Sequence, residues 1–507
     1  STTFLPLRRD HRVGFGAPRG RYYMTPLSFA SLSHTAVLPV ARKRRDSKHP
    51  PSSAQGVLKQ FFTLPAHGPR FGRPAVPKHD TAYSAQNGLE CEVLRLFLYV
   101  FNMRQRIAKR LPPDADKLVG LSLALFASGS RVEDRFWEAK LDALLAKIVR
   151  NGNQTTLDAA LDHLQQNHPD AYGALADMAE THSESMVIEH DGKPHDALLV
   201  AVPVLAWTRY MIPSGPLKSD VADALRTHLQ AHVLASGTLV ALAPFLYSID
   251  QLPRHHVETY RLAQQLAHAA TGQHAAKLNF ADLPETSPIL ADPRFLLAVV
   301  AAPAGTPLFR WQEEEHGNRI ERGQCLEQWT TQGGPNLSIA LPGCEFECLL
   351  PDAYYSACRD ADERIRPHTV RTAIRYLFDT LGAAPQELRA VVAGFGERRI
   401  DEYRVGFTRR ASNDVIYGVV WPLYGRENGD ISVDNATLED EAPIEGPLEE
   451  IVSLLKECGV TDIRRHAGRF EPEYCDDCGV PLYADPLGEI VHAEMPEDAS
   501  PAQPHFH

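Results

Sequence analysis

At 507 residues, 44% hydrophobic and 23% charged, the chain can support two or three hydrophobic cores and has an ordinary globular composition. No stretch approaches the ~18 uninterrupted apolar residues of a membrane span, and eight scattered cysteines fit a reducing compartment better than a disulfide framework. The net charge of −12 is unevenly spread: residues 1–102 hold 15 of the 52 basic and 5 of the 64 acidic side chains, leaving 37 basic against 59 acidic for the remainder. A body that acidic repels phosphate, which argues against general nucleic-acid binding.

Residues 1–102 lack helical or strand periodicity and scatter Pro, Gly, Ser, His and Arg, the composition of a disordered segment or of non-native upstream translation. Gly14, Gly16 and Gly20 have the wrong spacing for a phosphate loop, and the basic run Arg42 to Arg45 stands alone. Orderly pattern begins at Met103.

Residues 103–182 read as a helical lead-in. Ser130 and Glu133 form a capping-box pattern, followed by an apolar stripe of Trp137, Leu141, Leu144, Leu145 and Ile148, with Asn151 and Gly152 as the stop. Thr155 and Asp158 start a second helix carrying Leu157, Leu161 and Leu164, and Pro169 opens the next. The charges from Arg131 to Glu138 read as a solvated helix face.

A hairpin around Asp191 and Gly192 leads into a pattern that occurs twice, over residues 183–290 and 291–426. LLVAVPVLAWTRY, a helix, LVALAPFLY and a second helix ending at Gly272 match LLAVVAAPAGTPLF, a helix, FECLLPDAYY and a helix ending at Gly382. The fold class expected is α/β or α+β: an internally duplicated strand-helix-strand-helix body, with crossover connections and a parallel or mixed sheet. In the first copy Ser219 is placed to cap a helix whose stripe is Val221, Leu225, Leu229 and Val233, with His228 and His232 at its edge. These histidines, like His255 and His256, lack the HExxH arrangement and are read as boundary residues. Pro244-x-x-Tyr247 and Pro351-x-x-Tyr354 are read as marking one turn in both copies. The second copy inserts Gln312 to Gly323, a charged loop beside Trp311 that could form the lip of a pocket and whose acids Glu313 to Glu315 read as solvated.

Three strand-like segments follow Gly382: LRAVVAGFG, EYRVGFTRR and VIYGVVWPLYG, expected as an antiparallel meander. Gly394 and Gly396 lack the third glycine and the helix of a dinucleotide loop. Arg398, Arg399, Arg404, Arg409 and Arg410 make the meander the place to seek an anionic ligand. Residues 427–446 read as an acidic linker. Residues 447–507 read as a short helix, Pro447 to Gly459, and a zinc-knuckle-like tail.

That tail carries the most specific chemistry. In Cys475-x-x-Cys478-Gly479, two thiolates two residues apart can face one zinc, with the glycine allowing the turn. A small hairpin of Leu482 and Tyr483 with Ile490 and Val491, turning at Pro486 to Gly488, carries His492 back as a third ligand. The fourth is His505 or His507, with His466 and Cys458 as outside candidates. A closed set makes the zinc structural, and an open position with Glu494 as base makes it catalytic. Unligated thiols or a redox dithiol are the other readings of the pair.

From Met103 to His507 the chain resembles a proteobacterial family of unknown function, carried by SGSRVEDRFWEAKLDALL, LAWTRYMIPSGP, YSIDQLPRHHVETY, FRWQEEE, GFGERRIDEYRVGF, VVWPLYGRE and CDDCGVPLYADPLGEIVHAEMPED. The resemblance implies a bacterial cytosolic protein whose members begin near Met103, and it supplies neither an activity nor site residues. The expected function is a non-catalytic, zinc-containing cytoplasmic adaptor or regulator that binds a protein partner or a small anion; the alternative is a metal-dependent hydrolase using Cys475, Cys478, His492 and Glu494.

Overall fold

The computed structural model describes residues 111–273, 276–286, 289–313, 320–397, 399–423 and 446–496. Residues 1–102, the acidic linker apart from Gly446, Glu314, Glu315, Arg398, His505 and His507 lie outside them. The described residues form a mixed α/β structure of nine α-helices and sheets of eight, four and two strands.

The lead-in is helical as expected: α1 (Pro113–Phe126), α2 (Arg131–Arg150), α3 (Gln154–Asn167) and α4 (Pro169–Glu184). Ser130 Oγ accepts the Glu133 amide at 3.2 Å, while the Glu133 carboxylate reaches the amide of Gly129 rather than that of Ser130. Leu141, Leu145 and Ile148 are buried with Leu118, Leu157, Leu161 and Leu164, whereas Trp137 and Leu144 are only half-buried.

β1 (Ser185–His190) and β2 (Lys193–Trp207) form the hairpin, with Asp191 and Gly192 both at positive φ. The elements that follow are β3 (Gly215–Pro216), α5 (Ser219–His232), β4 (Leu239–Leu242), β5 (Phe245–Ser248), α6 (His256–Ala270), β6 (Ala291–Pro303), α7 (Arg322–Ala340), β7 (Glu345–Cys348), β8 (Asp352–Ala353) and α8 (Tyr354–Leu381). Ser219 is the first residue of α5 and caps nothing; the cap position is Lys218.

The expected parallel or mixed arrangement of this sheet is corrected by the pairings, all of which are antiparallel. β2 and β6 pair at the centre from His195 with Pro303 to Trp207 with Ala291. β4 and β5 lie on the far edge of β6, and β7 and β8 on the far edge of β2. Helix α5 therefore does carry the chain to a strand parallel to β2, but β6 fills the space between them, and β2 fills the matching space between β6 and β7. Two split strand-helix-strand units are interleaved. The sequence specifies a crossover and says nothing about which strand enters the gap.

Both faces of this sheet are covered, which is why residues 198–206 of β2 and 295–302 of β6 are apolar without alternation. Val200, Val202 and Val204 meet α5 and α7; Leu199, Ala201 and Leu205 meet α6 and the first half of α8. Pro244 separates β4 from β5, whereas Pro351 precedes β8, so Tyr247 lies in a strand and Tyr354 opens a helix. The shared Pro-x-x-Tyr spelling thus marks two different turns, although both rings are buried.

The second half of α8 passes to a four-stranded sheet. Its strands β9 (Leu388–Phe395), β10 (Glu402–Arg409) and β11 (Val415–Pro422) make the expected meander. A fourth, β12 (Asp462–Phe470), follows α9 (Pro447–Glu457) and pairs parallel with β9. Val370, Ala373 and Leu377 of α8 join Ile451 and Leu455 of α9 on one face. The other face receives the C-terminal hairpin β13 (Tyr483–Ala484) and β14 (Ile490–Val491). Among the described residues, no helix is long and apolar enough to cross a membrane.

Candidate metal centre

The knuckle is built by its backbone. The Cys475 amide donates to Val480 O at 2.8 Å, the Gly479 amide to Cys475 O at 2.7 Å and the Leu482 amide to Glu473 O at 3.1 Å. Gly479 takes φ +73°, a conformation that costs a residue with a side chain but not glycine. The amides of Asp477 and Cys478 point at Cys475 and hold its thiol below the ordinary range. The Val480 amide also favours the Cys478 thiolate, yet desolvation and the neighbouring Cys475 leave that thiol raised.

The hairpin returns as its sequence suggests. Asp485 is buried and its Oδ1 accepts the amides of Leu487 and Glu489, both at 2.8 Å, closing a tight turn in which Gly488 has φ +92°. β14 then delivers His492, whose Nε2 lies 3.2 Å from Cys478 Sγ. Ligand atoms of Cys475, Cys478 and His492 all lie within 4.8 Å of one another, so the three are grouped as a metal would need. The opposite ring nitrogen, Nδ1, is buried without a hydrogen bond and faces the Glu494 carboxylate at 3.6 Å. Glu494 therefore stands behind the imidazole, on the side away from the sulfurs.

The group is fastened to the meander at both ends. Arg404 of β10 is 1% exposed and donates to Glu473 O at 2.8 Å, to Leu482 O at 2.6 Å and to the Glu402 carboxylate at 2.6 Å. Its guanidinium also lies over the rings of Phe395 and Tyr474. After His492, the Glu494 amide donates to Val415 O at 2.9 Å. Between these ties, Tyr483 is seated over Gly418.

Residues 103–506 match the family described as Protein of unknown function (DUF2863). The chain belongs to the DUF2863 family. No curated protein and no solved structure matches it.

The other expected site residues in this DUF2863 chain fall elsewhere. His466 Nε2 is 2.7 Å from Asp485 O and so serves the hairpin turn. Cys458 caps the end of α9 and packs against the core beneath it. His228 and His232 stack at 5.8 Å, and among the described residues no third ligand joins them. Within the arginine-rich meander, Arg404 is interior and committed to the knuckle, Arg399 pairs with Asp401, and Arg410 reaches Asp462 and Thr461. Glu313 accepts the Ser236 amide at 2.8 Å in an exposed hydrogen bond, so it fastens the loop at the surface.

Asp485 and Gly418 are supporting residues that the motifs do not mark, and Arg404 and Tyr483, expected in other roles, support the site as well. The available signal was that Arg404 alternates with Tyr403 and Val405 inside a strand, where an arginine needs several acceptors. The carbonyl partners of Arg404 lie 69 and 78 residues away in sequence.

Proposed function

We propose that the chain is a non-catalytic, zinc-containing adaptor or regulator of the bacterial cytosol, in which one zinc held by Cys475, Cys478 and His492 secures the C-terminal hairpin to the second sheet. The observation that carries this reading is the double fastening of the ligand group, by Arg404 before it and by the Glu494 amide after it. Two sulfurs and an imidazole nitrogen are donors that suit zinc. The amides around Cys475 favour its thiolate, and the buried Nδ1 of His492 has a carboxylate nearby to fix its tautomer, as in carboxylate–histidine–zinc arrangements. Glu494 behind the ring supports an orienting role rather than that of a base acting on metal-bound water.

The body is read as a duplicated unit that supplies binding surface. Supporting this, β2 and β6 occupy matching central positions, α5 and α7 pack together on one face, and each long strand has short strands of the other unit on its outer edge. The outer arginines of the meander remain the place where a small anion would bind.

The test is metal content after purification without chelators. Close to one zinc per chain is expected, lost in Cys475→Ser and Cys478→Ser; under about 0.2 zinc per chain would end the zinc reading.

A further inference from the structure

The first half of α2 contributes no buried residue to the core: from Arg131 to Lys140 every side chain is exposed or half-buried. It is nonetheless apolar along one line. Val132, Phe136, Ala139 and Ala143 are all exposed, Val132 at 79% and Phe136 at 53%. Their spacing of four, three and four residues is that of a coiled-coil seam. Leu141, Leu145 and Ile148, which bury the helix in its own bundle, lie on the opposite side. A solvent-facing seam of this kind differs from the scattered apolar residues of an ordinary surface.

The charges beside the seam identify what fits it. One flank carries Glu133 and Lys140, the other Arg135 and Asp142, all exposed. Set a second α2 antiparallel on the first, with Val132 opposite Ala143 and Phe136 opposite Ala139. Each large side chain then meets a small one. Flank faces like flank in such a pair, so Glu133 meets Lys140 and Arg135 meets Asp142, and the two-fold axis makes every contact twice. A parallel pair would instead set Arg135 against Lys140. Existing contacts are compatible: Lys140 Nζ lies 4.3 Å above the Phe136 ring, Glu133 uses one oxygen at the helix start, and Asp142 Oδ1 meets His182 at 2.7 Å. Each carboxylate keeps a second oxygen.

We infer that the exposed face of α2 is a self-association surface whose partner is a second copy of this chain, bound antiparallel through the seam from Val132 to Ala143. The seam has only four layers, so the association belongs to the weak class of interface, below ~1,200 Å².

Sedimentation equilibrium of the full chain from about 5 to about 500 µM tests this. The mass is expected to rise with concentration from that of one 56.2 kDa chain towards that of two. Phe136→Glu and Ala143→Glu should abolish the rise, Arg135→Glu should weaken it by about tenfold or more, and adding Asp142→Arg to Arg135→Glu should restore it. Unchanged thermal unfolding of each variant establishes that the fold is intact. A monomer at every concentration overturns the inference, as does association that Phe136→Glu and Ala143→Glu leave untouched, or a charge swap that fails to restore it. Vesicle binding by a monomer through this face would equally overturn it, giving the seam to a lipid surface instead.

Discussion

The ring of Tyr483 fills the space that any side chain on Gly418 would need, and Gly418 is itself the register partner of Gly406 across β10 and β11. Two facing glycines thus open a slot in the meander, and the tyrosine that precedes the hairpin turn is seated in it. Gly418→Ala puts a methyl into the ring and should destabilise the protein by about 2 kcal/mol or more. Gly406→Ala should cost less, because its nearest neighbours, Ala484 O and Val415 Cγ1, both stand 3.3 Å from the new carbon. Thermal or urea unfolding separates the two, and a Gly418→Ala loss below about 0.5 kcal/mol would remove the slot from the account.

Arg404 ties three acceptors from inside the sheet, so Arg404→Met strands the buried Glu402 carboxylate and two knuckle carbonyls. A loss of about 3 kcal/mol or more is expected. Arg404→Lys should fail to restore it, since one ammonium cannot reproduce the guanidinium's planar reach. Full stability in the lysine variant would contradict the staple.

Burial pushes the Glu184 carboxyl up to about 8, against the pull of the Tyr355 amide at 3.1 Å, with Glu180 adding to the rise. Burial likewise takes Asp292 to about 6 despite its ion pair with Arg294. In both cases the folded value lies above the unfolded one. The stabilising contribution is therefore complete below the ordinary carboxylate range and is lost as pH rises through the folded value. These two carboxyls should lower the stability between pH 5 and 9, and Glu184→Gln should remove on the order of 1 to 2 kcal/mol of that fall relative to the parent protein. Urea unfolding at three pH values checks this, and equal slopes in both proteins would contradict it.

Ser130→Ala removes the acceptor of the Glu133 amide at the start of α2. It should cost about 1 kcal/mol, read from the unfolding midpoint. No change would mean that the cap contributes nothing at this exposed helix end.

What was legible in the sequence was local. The Ser130 start, the Asp191-Gly192 hairpin, the three meander strands, Pro447 to Gly459 and the return of His492 to the knuckle all follow from residues close together in the chain. Interleaving was not legible, because whether β4 lies beside β2 or beyond β6 depends on a strand about 50 residues further on. β12 was missed for another reason: Arg464, Arg465, His466 and Arg469 interrupt any apolar alternation, and a bulge between Arg465 and Arg469 breaks its register. A charged edge strand of that sort is written to resist further pairing rather than to advertise itself. The seam on α2 was hidden inside a charge run that reads as a solvated face, and only the burial of Leu141, Leu145 and Ile148 on the other side separates it.

X-ray absorption at the zinc edge of the purified full chain reads the ligands of the metal themselves. Two sulfur neighbours are expected at about 2.3 Å with nitrogen at about 2.0 Å, and that signal should disappear with the metal in Cys478→Ser. A shell of oxygen and nitrogen alone, or a spectrum unchanged in Cys478→Ser, would contradict the site.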